Sequence, residues 1–102
     1  VNGISFDDRS YGIIMWIQSL ALEKGKQAAV IQVTRGMVAR RYNITRTQSA
    51  RVLERMVQEG QLVSEKWHHG KLGMYAYALT QQVLDILDEQ QELPFEYNED
   101  NG

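Results

Sequence analysis

The chain has 102 residues, of which 43% are hydrophobic and 24% charged, proportions that suit one globular domain and argue against a disordered chain. It has no cysteine, which excludes disulfides, thiolate metal sites and cysteine nucleophiles and fits a reducing cytoplasm, and no apolar run approaches the ~18 residues of a membrane span. The net charge of −2 argues against nucleic acid until the chain is divided: residues 1–34 balance, residues 35–71 carry +5 and residues 72–102 carry −7.

In chain order, Asp7 or Ser5 can cap a first helix that Gly25 ends. Tyr11, Ile13, Ile14, Met15, Trp16, Ile17, Leu20, Ala21 and Leu22 make it apolar nearly all round, which predicts burial on two sides. In so small a domain the second side is most simply a partner subunit. Ala28–Val33, with Val30, Ile31 and Val33, reads as a short extended stretch. Thr34 then caps a second helix to about Tyr42, with Met37, Val38 and Tyr42 inward, and Asn43 suits a left-handed turn. Thr45 and Gln48 form a capping box for a third helix, with Ser49, Leu53, Met56 and Val57 inward and Gly60 at its end. Gln61–Trp67 and Met74–Leu79 have strand character on either side of a glycine-containing tip, residues 68–73. Thr80 caps a fourth helix to about Gln91, with Val83, Leu84, Ile86 and Leu87 on its apolar side. Pro94 stops it, and residues 94–102 read as an acidic flexible tail. Chemistry is sparse: no nucleophile–base pair, phosphate-cradling glycine loop or metal spacing occurs, so neither enzymatic activity nor a cofactor is expected.

The run VTRGMVARRYNITRTQSARVLERMVQEGQLV, from Val33 to Val63, and the closing YAYALT resemble the bacterial winged helix-turn-helix family. The matching elements are Thr34, Ala39, Ile44, Thr45, Leu53, Met56, Glu59-Gly60, Leu62-Val63 and Tyr77-Ala78-Leu79-Thr80, about half the chain. Ser49 departs from the pattern, which usually has an apolar residue there; either a bond to the carbonyl one turn back or an unusually tight helix crossing would account for it. The resemblance implies a mainly α fold with a small β-hairpin, in the order α-β-α-α-β-β-α. It divides the chain into one winged-helix domain over residues 1–93 (helix-turn-helix 34–60, wing 61–79, C-terminal helix 80–91) and the tail. It also implies a cytoplasmic, nucleoid-associated transcription regulator that binds double-stranded DNA as a homodimer and meets other transcription proteins. Its dimer interface would be formed by the first and fourth helices through Ile13, Trp16, Ile17, Leu84 and Leu87.

On that reading the third helix enters the major groove, with Arg46, Thr47, Gln48 and Arg51 at base edges. Arg51 suits guanine and Gln48 suits adenine. Arg35, Arg40, Arg41, Thr45, Arg55, Lys66 and Lys71 would hold phosphates, and His68 and His69 would sit at the wing tip. Six arginines between positions 35 and 55 face only Glu54, so the cluster says more than any member. Adjacent histidines on a loop point apart and make a poor metal site. Trp67, Tyr75 and Tyr77 can either stack on single-stranded bases or pack the hairpin onto the helices. Two alternatives to duplex binding stay open, a protein-interaction module without DNA contact and an RNA-binding one.

Overall fold

A computed structural model describes residues 7–69 and 72–89, with side chains described for residues 7–66 and 74–89. The elements are α1 (Asp8–Lys24), β1 (Val33–Thr34), α2 (Arg35–Tyr42), α3 (Arg46–Gln58), β2 (Leu62–His69) and β3 (Leu72–Leu79). Residues 81–89 then form a further helix, α4. The fold is mainly helical, with a three-stranded antiparallel sheet in the order β1-β3-β2.

Local chemistry sets the boundaries. The Asp7 carboxylate accepts from the Ser10 N–H at 2.8 Å, so Asp7 is the cap of α1. Ser5, the other capping candidate, lies outside the described residues. The Thr34 hydroxyl accepts from the Met37 N–H at 3.2 Å, and Thr45 and Gln48 complete the capping box of α3 with two 3.0 Å bonds. The C-terminal ends share one device, in which a left-handed residue turns the chain and the next amide reaches back five positions. Gly25 (φ 65) precedes the Lys26 N–H to Ala21 carbonyl bond, Asn43 (φ 56) the Ile44 to Ala39 bond, and Gly60 (φ 80) the Gln61 to Met56 bond. Thr80 caps α4 through the Val83 N–H, at 3.4 Å.

Ala28–Val30 is a single 3-10 turn rather than extended backbone, and strand pairing is confined to Val33 and Thr34, opposite Tyr77 and Ala76. Their β-branched side chains were right for a strand, but β3 is met only over two residues before Thr34 starts α2. The hairpin strands are longer than expected: β2 reaches His69 and β3 starts at Leu72.

The core lies around α1. Ile13, Ile14 and Ile17 are each at most 1% exposed, packed with Val33, Val38, Leu53, Met56, Leu62, Tyr77, Leu79 and Val83. This corrects the dimer-interface assignment for Ile13 and Ile17. Ile13 and Ile17 are wholly buried within one chain and Leu87 nearly so, while Trp16 and Leu84 are partly covered by the same core. Burial on two sides is not what the structure shows: the buried residues of α1, Ser10, Ile13, Ile14, Ile17 and Ala21, lie on one side of the helix and face its own chain. Its exposed large apolar residues are Tyr11, Met15 and Leu22.

Candidate nucleic-acid interface

Two short helices joined at Asn43–Thr45 carry most of the basic residues. On α3, Ser49, Leu53 and Met56 are buried at spacings of four and three, so Thr47 and Arg51 project from the opposite side. Arg46, Thr47, Gln48 and Arg51 are all exposed in the N-terminal half of this helix. Arg40, Arg46 and Arg51 make no hydrogen bond or ion pair among the described residues. The capping box uses the Thr45 and Gln48 amides, which leaves those of Arg46 and Thr47 as open donors at the positive end of the helix.

Gln48 is the first of the revised assignments. Its side-chain oxygen accepts from the Thr45 N–H, so the cap holds one of the oxygen's two lone pairs and fixes the orientation in which the amide would meet a base. The Thr45 hydroxyl oxygen accepts from the Gln48 N–H, which leaves its O–H to donate to a phosphate. Arg55, at the other end of α3, is opposed by Asp7 at 3.5 Å and Glu59 at 3.3 Å. These are exposed pairs of small energetic value, yet they dilute the charge a phosphate would meet.

Arg35 is revised most. Its guanidinium donates through Nε to the Tyr77 hydroxyl at 2.9 Å and through Nη2 to the Glu54 carboxylate at 3.1 Å, and lies 4.2 Å from the Tyr75 ring centre. The Tyr77 hydroxyl donates to the same Glu54 oxygen at 2.8 Å. Arg35 is therefore held by internal partners instead of being offered to a phosphate. Burial opposes its charge, but the bonds to Tyr77 and Glu54 outweigh that and raise its pKa further. The triangle ties the first turn of α2, the middle of α3 and β3 together, and so fixes how the hairpin stands against the two helices. Sequence reading missed it because the three residues are separated by 19, 23 and 42 positions.

Tyr77 is fully buried, which settles its role as packing rather than base stacking; Tyr75 is partly buried, 6.5 Å away between ring centres. Burial, reinforced by the Glu54 carboxylate and opposed by Arg35, pushes the Tyr77 hydroxyl up to about 12 from 10.0. An unfolded tyrosine ionises near 10, so this contribution to stability is complete below pH 10 and is lost as pH rises toward 12. Denaturant melts of wild type and Tyr77→Phe at pH 9 and pH 11.5 check it: the stability gap between them should narrow at the higher pH.

Ser49 also has its explanation. It is fully buried and its hydroxyl donates to the Arg35 carbonyl at 2.7 Å, across to α2 rather than one turn back along α3. A hydroxyl this close to another helix's backbone marks a tight crossing, where a larger apolar side chain would collide.

Lys66 is exposed on β2, with its ammonium 5.6 Å from the Tyr75 ring centre. Lys71 and the side chains of Trp67, His68 and His69 lie outside the described residues. Among the described residues no group of three His, Cys, Asp or Glu could hold a metal ion, and no helix is long and apolar enough to cross a membrane. Comparison with protein-family models, curated proteins and solved structures finds no match to this chain.

Proposed function

We propose that this protein is a winged helix-turn-helix regulator that binds double-stranded DNA, with α3 in the major groove and the β2–β3 hairpin as a wing along the backbone. The observation that carries this reading is the N-terminal half of α3. There Arg46 and Arg51 are exposed with no carboxylate partner, beside two open backbone amides, and the exposed Arg40 and Arg41 stand in the last turn of α2, just before the turn that leads into α3. The other two arginines of the cluster, Arg35 and Arg55, have carboxylate partners, so this end concentrates the charge left for a polyanion. Thr47 and Arg51 read base edges; Arg40, Arg41, Lys66 and the amides of Arg46 and Thr47 hold phosphates.

Two copies on DNA would place their α3 helices about 34–36 Å apart, one turn of the duplex. With Ile13 and Ile17 committed to the core, a contact along α1 would fall to Tyr11, Met15 and Leu22, which lie on one side of that helix at spacings of four and seven.

The test is a titration of the folded protein against random duplex DNA at low and moderate salt. Affinity should fall steeply as salt rises, and Arg41→Ala should weaken binding and flatten the log–log salt slope by about 0.9, the share of one phosphate. A folded protein that binds no duplex at low salt, and still binds none when its acidic tail is neutralised by substitution, would turn the reading toward a protein-interaction module. Preference for RNA over duplex DNA would turn it toward RNA.

A further inference from the structure

On the α1–α2 side, Trp16, Met37, Arg40 and Arg41 line a shallow cleft of about 300 Å³. Trp16 and Met37 are partly buried and form its apolar floor, while the two arginines are exposed. The Arg41 guanidinium lies 5.3 Å from the Trp16 ring centre and 5.9 Å from that of Tyr42, and Arg9 lies 5.1 Å from Tyr42 on the other side. None of Arg9, Arg40 and Arg41 is paired with a carboxylate among the described residues. The cleft therefore combines an apolar seat, with room for an aromatic ring, and uncompensated positive charge.

The chain supplies the complementary chemistry beyond α4. Residues 92–100 read Glu-Leu-Pro-Phe-Glu-Tyr-Asn-Glu-Asp, with Leu93, Phe95 and Tyr97 set among Glu92, Glu96, Glu99 and Asp100 and no base. The path is short. Leu87 and Asp88, near the last described turn of α4, share a cleft of about 560 Å³ with Gln18, Ala21 and Leu22 of α1. Trp16 is two residues from Gln18 but on a different side of the helix. Residues 90–95 would reach at most roughly 20 Å if fully extended, against about 16–19 Å for half way round a helix 10–12 Å across, so reaching Trp16 requires residues 90 and 91 to continue extended rather than helical.

We propose that residues 92–100 dock intramolecularly in the Trp16–Met37–Arg40–Arg41 cleft, with Phe95 or Leu93 seated on Trp16 and Met37 and the flanking carboxylates on Arg40 and Arg41. If the DNA reading above holds, the consequence is autoinhibition, because docking withdraws two phosphate-binding arginines from the duplex. The docking itself does not depend on DNA and is tested without it.

Because the chain has no cysteine, Asn101→Cys carries a single spin label on the full-length protein. In a dilute ¹⁵N-enriched sample at low salt, the label should selectively broaden the Trp16 indole signal and the Met37, Arg40 and Arg41 amides, leaving Val63 and Ser64 sharp. Phe95→Ala should relieve the broadening, as should the pair Arg40→Glu with Arg41→Glu, and each variant's amide spectrum reports that it is folded. Absent or uniform broadening would overturn the proposal, as would broadening centred on Arg46 and Thr47. Broadening carried to an enriched, unlabelled copy in a mixed sample would overturn it in favour of docking between two copies.

Discussion

Replacing Tyr77 with alanine is expected to lower stability by about 3–5 kcal/mol, a large part of what a domain of this size possesses. Tyr77 heads the largest fully buried side chains and packs in the core around α1. Its hydroxyl is also the shared partner of Arg35 and Glu54. The truncation opens a void and leaves a half-buried cation and carboxylate to close on each other or take up water. For a domain of about 100 residues each kcal/mol corresponds to ~4–8 °C, so the melting temperature should fall by roughly 12–40 °C. Tyr77→Phe keeps the volume and should lose only ~1 kcal/mol at neutral pH. Thermal melts of the two variants separate packing from bonding. A loss below 1 kcal/mol for Tyr77→Ala would mean that the Arg35–Glu54–Tyr77 triangle does not brace the hairpin.

Arg51→Ala is expected to cost about 1–3 kcal/mol on a preferred duplex, or roughly 5- to 150-fold in affinity, and much less on random DNA. Arg51 stands on the side of α3 opposite Ser49, Leu53 and Met56, without an ionic partner to surrender. The preferred duplex would first be selected from a random pool with the wild-type protein, and both affinities measured at one salt concentration. Equal losses on preferred and random DNA would make Arg51 a phosphate anchor. No loss on either would remove the outward face of α3 from the proposed interface.

Sequence reading did best where the physics is local. The caps at Asp7, Thr34, Thr45 and Thr80 and the left-handed stops at Gly25, Asn43 and Gly60 all involve groups within about five residues, and each stands where the pattern put it. The inward stripe of α3 followed from spacing alone. The candidate interface was legible in part: sequence marked the arginines, but not which of them were free. Arg35 and Arg51 look alike in the sequence, yet one is held by Tyr77 and Glu54 and the other has no such partner.

The apolar surface of α1 is a second case of the same limit. Composition showed the helix apolar nearly all round and so predicted burial on two sides, but the structure buries one side, against its own chain, and leaves Tyr11, Met15 and Leu22 exposed, so Ile13 and Ile17 were wrongly assigned to a subunit interface. Hydrophobic burial is non-directional and is satisfied equally by an intrachain or an interchain neighbour. By itself, then, the sequence determined the helices, their caps and stops, the hairpin and the division of charge along the chain, because short-range hydrogen bonds and periodicity set these. Only the tertiary structure decided which arginines are neutralised, why Ser49 is buried and what covers α1, because those outcomes depend on partners brought together from distant parts of the chain.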